Sequence, residues 1–187
     1  MRSVQLGGLC DCVAASAADD LACLAAAREW FDVVLIGNHE HPYFGGPRFV
    51  GFWRCREVGE ELRKLDDERV LRPCMLVDGI LVSQAGLGAG WGFADAAEAA
   101  GPLAGRASVF AQIGRARGGL ADCGGVLWAD WSEPEASFRQ IVGHTPGGEP
   151  RSRGGAICLD VGAGDGARRI VGALVRDGDV ELVDCAV

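Results

Sequence analysis

The chain has 187 residues, with 26 acidic against 18 basic side chains and a formal net charge of −8. That length fits a single domain over 1–187, with a core large enough to stand without disulfides. No basic stripe is available to neutralise a phosphate backbone and no apolar run nears the ~18 residues of a membrane span, so neither nucleic acid nor a membrane is an expected partner. Only three histidines are present, which restricts imidazole chemistry to His39, His41 and His144.

Ser3 to Leu6 reads as a short buried strand that enters a Gly-rich turn. The apolar stretch of the first eighteen residues is broken by Cys10-Asp11-Cys12, unlike a signal peptide, and the expected compartment is the cytoplasm. Ser16 is a cap for a helix over Ala18 to Trp30, with Asp19 and Asp20 in its first turn, where carboxylates suit the helix dipole. Val33 to Ile36 is a continuous apolar run, the pattern of a buried parallel strand. The start therefore reads β-α-β.

His41 to Pro47 is a loop, and His41 is expected to be exposed there. A helix follows over Trp53 to Leu65, with Val58, Leu62 and Leu65 on one face and Glu60 paired with Lys64 on the other. Cys74–Val77 and Ile80–Ser83 flank Asp78-Gly79, a strong hairpin signal. The Ala-rich region from Phe93 to Arg117 reads as mostly helical, broken at Gly101-Pro102. Strands are predicted at Arg139–Val142, Ala156–Asp160, Arg169–Val175 and Asp179–Val183, the last two forming a hairpin about Asp177-Gly178. The eight cysteines contain no C-x-x-C spacing. Cys23, Cys74, Cys158 and Cys185 sit among apolar residues and read as small buried hydrophobes.

Chemistry gathers where strands end. Val33–Ile36 runs into Gly37-Asn38-His39-Glu40, at the carboxyl end of a buried strand, where α/β proteins place ligands. A second strand ends in Ser83-Gln84-Ala85-Gly86. Leu127-Trp128-Ala129-Asp130 follows, then Gly143-His144-Thr145-Pro146, then Leu159-Asp160-Val161-Gly162. Asp130 and Trp131 read as packing groups at the rim, and Arg115 and Arg117 as a solvated face.

This ordered series resembles the calcineurin-like metallophosphoesterases, especially their phosphoprotein-phosphatase-like branch, whose motifs read G-D-x-x-D-R-G, G-N-H-E, V-x-H-A-G, L-W-x-D, G-H-T and I-D-x-G. The resemblance implies an α/β sandwich of two mixed sheets packed face to face with helices outside. It implies two divalent ions (manganese, iron, zinc or magnesium) sharing a bridging hydroxide that attacks a phosphoester or phosphoprotein substrate. On this template Asn38 is an amide ligand of the second metal and a contact for the substrate phosphate. His144 is an imidazole ligand, His39 the general acid and Asp11 the carboxylate that orients it.

The departures are specific. Gly8 stands in place of the metal-bridging aspartate, Gln84 in place of an imidazole ligand, and Cys12 in place of the arginine that grips phosphate. The opening D-x-H motif is absent, equivalent to a strand and helix of roughly 30 residues, which leaves a sheet edge exposed near Ser3 to Leu6. The remaining neutral donors would hold at most one ion, and weakly, because hard cations want carboxylate oxygens. The expected functions are therefore an impaired metal-dependent phosphoester hydrolase or a non-catalytic pseudophosphatase that binds a partner or phospho-ligand. Asp160-Val161-Gly162-Ala163-Gly164-Asp165-Gly166 also looks like the nucleotide loop of S-adenosylmethionine-dependent methyltransferases. Such a loop opens a Rossmann domain, however, and only a hairpin follows it here.

Overall fold

A computed structural model describes residues 2–10, 15–49, 52, 54–100, 112–133, 136–162, 166 and 169–186. Asp11, Cys12 and the Gly101-Pro102 break lie outside the described residues, as does the side chain of Cys185. Strand β1 (Val4–Gln5), helix α1 (Ala17–Trp30), β2 (Val33–Leu35), α2 (Arg56–Asp67) and β3 (Leu71–Arg72) alternate along the chain. Such β-α-β connections run strands parallel, and the first sheet is a parallel one of order β1-β2-β3. It is thus not one of two mixed sheets, because each of its strands is separated from the next by a crossover helix.

The second sheet is mixed. It contains β4 (Cys74–Val77), β5 (Ile80–Ser83), β6 (Gln140–Val142), β7 (Arg151–Arg153) and β8 (Ala156–Cys158), in the order β4-β5-β6-β8-β7. β5, β6 and β8 are parallel to one another, while β4 and β7 are antiparallel edges. Helix α3 (Phe93–Ala99) lies between β5 and β6 in the chain. β9 (Arg169–Arg176) and β10 (Asp179–Ala186) form a separate antiparallel ribbon.

Strand periodicity decides which side chain goes where. In β2, Val33 and Leu35 face one way and pack with Ile80 and Val82 of β5, Ile141 of β6 and Leu159. This is the layer between the two sheets, and Val171, Ala173 and Val175 of β9 close one side of it. The intervening Val34 faces the opposite way, toward Leu24 and Ala27 of α1 and Val58, Leu62 and Leu65 of α2. Leu81 likewise turns from the inter-sheet layer to a cluster that contains Ala96 of α3, Val126, Leu127 and Trp128.

Both hairpins turn at the expected dipeptides. Asp78 and Gly79 have φ of 49° and 76°, and Asp177 and Gly178 have 53° and 81°. Two consecutive positive φ values are what a type I′ turn demands, and they match the right-handed twist of the flanking strands. The two tips approach each other, with the Gly178 N–H directed at Asp78 Oδ2 at 3.4 Å.

Several local expectations fail for identifiable reasons. α2 begins at Arg56 rather than Trp53, and Glu60 pairs with Arg56 (3.3 Å) while Lys64 takes Glu61 (2.8 Å), the i,i+3 neighbour. Cys23 is exposed: the buried stripe of α1 runs Asp20, Leu24, Ala27, and Cys23 falls on its flank. Cys74 and Cys158 are buried as expected. Of the Ala-rich region, Phe93–Ala99 is helical, and residues 101–111 lie outside the described residues. Beyond residue 111 it forms a short 3-10 helix, Arg115–Arg117, beside a bridge between Gly114 and Ala121. β3 and β7 were not foreseen, the first because two residues carry no pattern, the second because Arg-Ser-Arg is a charged edge strand. Among the described residues no helix is long and apolar enough to cross a membrane.

Ser16 caps α1 with a complete box: its Oγ accepts from Asp19 N, and Asp19 Oδ2 accepts from Ser16 N at 2.7 Å. Leu62, fully enclosed between α2 and its neighbours, has no such local alternative. Ser16→Ala is expected to cost about 1 kcal/mol and Leu62→Ala about 2–5 kcal/mol in urea unfolding. Equal losses would contradict a helix pair held chiefly by packing.

Candidate functional site

The carboxyl ends of β1, β2, β5 and β6 converge. β1 leads into Gly7 and Gly8, β2 into Gly37, Asn38 and His39, β5 into Gln84, and β6 into Gly143 and His144. Gly8, Asn38, His39, Gln84 and His144 all line one cleft of about 1310 Å³. The cleft runs along the outer edge of β1, which pairs only with β2, and its walls are Met75, Val77, Val82, Ile141 and the inward face of β9. Five of the seven residues singled out from the sequence thus share one wall, and Asp11 and Cys12 lie outside the described residues.

The Gly-rich turn is held by one carboxylate. Glu40 is 1% exposed. Its Oε1 accepts from Leu9 N (2.7 Å) and Cys10 N (2.9 Å), and its Oε2 from Gly37 N (2.6 Å) and Gly8 N (3.1 Å). An anion facing four oriented amides acts as a buried peg joining the ends of β1 and β2. Gly37 must be glycine: a Cβ there would meet Gly8 N and Glu40 Oε2, each at 2.5 Å. The sequence displayed Glu40 within G-N-H-E but gave no sign of this role.

Gln84 performs the matching task between the two sheets. Its Oε1 accepts from Asn38 N (2.8 Å), and its Nε2 donates to Asn38 Oδ1 (2.9 Å). Because the backbone N–H of Asn38 can only donate, the Gln84 oxygen must face it, which fixes both amide orientations. The Gln84 carbonyl then accepts from Gly143 N at 2.7 Å and ties in the His144 turn. Gln84 and Asn38 are only 4% and 5% exposed.

The imidazoles are left with unused nitrogens. His39 stacks on Phe49, ring centroids 4.5 Å apart, and its buried Nδ1 has no hydrogen-bond partner among the described residues. The same holds for His144 Nε2. Burial lowers the pKa of His39 against the pull of Glu40 and Asp20. It pushes His144 down to about 3, with Arg117 and His39 adding to the effect and Asp130 opposing it. At neutral pH both rings are uncharged. His41 is not an exposed loop residue: it opens a 3-10 helix, His41–Phe44, is half-buried, and has its pKa lowered by burial.

The rim differs from expectation at one residue. Arg117 is not a solvated cation, since it forms an ion pair with Asp130 (2.8 Å) and donates to Thr145 Oγ1 (2.9 Å). Arg115 does behave as a surface group, pairing with exposed Asp122. Trp131 packs as anticipated, with the guanidinium carbons of Arg151 and Arg153 at 5.2 and 5.1 Å from its ring centroid.

The resemblance implies two divalent ions, and the donor set does not fit them. Gly8 brings no oxygen, and the Asn38 amide oxygen already accepts from Gln84. Gln84 turns its oxygen away from the cleft to a backbone amide. Among the described residues, no group of three or more His, Cys, Asp or Glu could hold a metal ion. Hard cations need several anionic oxygens; among the described residues of the cleft the carboxylates are those of Asp78 and Asp160, and Asp160 Oδ1 already accepts from Gly162 N at 2.9 Å. No protein-family model matches the chain, and no curated protein matches it.

Two outcomes follow. Glu40→Gln would replace one acceptor oxygen by an NH₂ facing amide donors, and should cost about 3 kcal/mol or more in urea unfolding; a loss under about 1 kcal/mol would refute the peg. All three histidines lie below their ordinary value of 6.5. Below that pH the unfolded chain binds protons that the folded rings refuse, so stability is fullest above about 6.5 and falls as pH drops toward 3. The urea midpoint should already decline between pH 7 and about 5, where most carboxylates remain ionised; a flat midpoint there would contradict neutral buried rings.

Proposed function

We propose that this chain is a domain of the calcineurin-like metallophosphoesterase type, from the phosphoprotein-phosphatase-like branch, whose cleft binds a phosphorylated ligand without dimetal hydrolysis. The observation that carries this reading is the reciprocal Gln84–Asn38 pair. It uses one of the two lone pairs of the amide oxygen that a metal centre would use and makes the position a strut between two sheets. Among the strand ends, the polar groups are the NH₂ of the Asn38 amide and the ring nitrogens of His39 and His144, and Arg2, Arg169 and Arg176 line the same cleft further along.

Those groups suit a phosphate ester better than a cation. A neutral imidazole can donate one N–H to a phosphate oxygen, and an amide NH₂ can donate another. Beside these strand ends, hydrogen bonding in a partly desolvated cleft supplies the recognition. His39 stands beside this wall in the place of a general acid, but an acid alone, with no activated water, does not cleave the ester.

The test is phenyl phosphate, assayed for turnover and for binding with the purified chain. Hydrolysis with added manganese should not exceed the manganese-only blank. Calorimetry should detect binding that His144→Ala weakens by about 10- to 100-fold, the value of one hydrogen bond to a charged group. Manganese-dependent turnover that disappears in His39→Ala would restore the hydrolase reading. No binding of phenyl phosphate would overturn the phospho-ligand reading.

A further inference from the structure

His144 sits in a conformation that its sequence neighbours do not favour. Its φ is +69°, and the Thr145 N–H donates to the Gly143 carbonyl at 2.8 Å. An i→i+2 hydrogen bond across a residue of positive φ is a γ-turn of the rare, strained kind. Histidine has a Cβ, so this backbone costs free energy that glycine would avoid, and such strain persists only where surrounding contacts over-determine it.

The surrounding contacts converge on Thr145. Its Oγ1 accepts from Arg117 Nη2 (2.9 Å) and from Trp131 N (3.2 Å), which uses both lone pairs. Its carbonyl accepts from Arg151 Nη2. Arg117 is itself anchored to Asp130 at 2.8 Å. On the other side of the turn, Gly143 N donates to the Gln84 carbonyl. The strained residue is thus clamped from both flanks, while its own ring makes no hydrogen bond at Nε2 among the described residues. A clamp that binds both neighbours of a residue and leaves its ring facing a cleft orients that ring rather than packing it.

We propose that Thr145 is a positioning residue: its hydroxyl, held by the Arg117 guanidinium and the Trp131 amide, locks the Gly143–Thr145 turn and thereby aims the His144 imidazole into the cleft. The functional consequence rests on the phosphoester-binding reading, while the geometric claim does not. Arg117 and Asp130 act one step further back, through Thr145. Valine at 145 keeps the volume and loses both acceptor sites, and serine keeps the acceptor.

Two readouts separate the claims. The first needs no ligand: ring signals of His144 in nitrogen-15 and proton NMR at one neutral pH. They should move in Thr145→Val and in Arg117→Gln, and stay near wild type in Thr145→Ser. The second is a double-mutant cycle read by phenyl phosphate binding. Thr145→Val should weaken binding about tenfold or more in the wild-type background, and have no further effect when His144→Ala is already present. Unmoved His144 ring signals in both Thr145→Val and Arg117→Gln would overturn the proposal. So would a Thr145→Val loss that persists in full in the His144→Ala background. Ring signals that move in the variants, when the wild type binds no phenyl phosphate, would uphold the positioning role and reject only the ligand. Should Thr145→Val not fold, Arg117→Gln reads both assays, since it leaves the hydroxyl in place and removes only one donor to it.

Discussion

Everything at the site hangs from the Glu40 carboxylate. Four amide donors from two separate turns point at its two oxygens. Buried anions are costly unless fully hydrogen-bonded, and buried amides are costly unless they find an acceptor. Here each cost cancels the other. The Gly7-Gly8 turn has φ values of 86° and 73°, so it has little backbone preference of its own to hold it. Without the carboxylate, the ends of β1 and β2 would have no common anchor.

Gln84 extends that anchoring to the second sheet. Hydrogen bonds from Gly8 and Gly37 to Glu40, from Asn38 to Gln84 and from Gly143 to Gln84, joined by the Gly37–Asn38 peptide bond, cross from the first sheet to the second. Gln84 is in this way a structural link between the two sheets. A dimetal centre holds such strand ends together by ionic bonds to a shared pair of cations. In this chain the neutral amide pair does the joining instead, and it needs no bound ion.

What could be read from the sequence follows from the range of the interaction. The hairpins at Asp78-Gly79 and Asp177-Gly178 depend on two adjacent residues, and their type is written in the dipeptide. The buried face of α2 depends on spacing within one helix, so Val58, Leu62 and Leu65 were visible. The convergence of Gly8, Asn38, His39, Gln84 and His144 was legible because each closes an apolar run, and parallel strands present their carboxyl ends together. The roles of Glu40 and Thr145 and the pairing of Arg117 with Asp130 were not legible. Their roles arise between residues 13 to 32 positions apart, where nothing local distinguishes a peg, a clamp or an ion pair from an ordinary polar turn. Gln84 was half legible: its departure from the motif was plain, but its bond to Asn38 spans 46 positions.

The electrostatics of the cleft limit what it can recognise. The chain carries a formal net charge of −8, so an approaching phosphate meets repulsion at long range rather than steering. Inside, Glu40 is enclosed by its donors, Arg117 is paired with Asp130, and His144 is held neutral. On the reading proposed above, a phosphate that passes Arg2, Arg169 and Arg176 on the cleft lining meets donors at the strand ends already oriented before it arrives. Flexible side chains would lose entropy on ordering and return little. A ring fixed by a strained backbone has lost that entropy during folding, and it can give its full hydrogen bond to the ligand. On the phosphoester-binding reading proposed above, the strained turn at His144 is the means by which a neutral ring becomes a selective one.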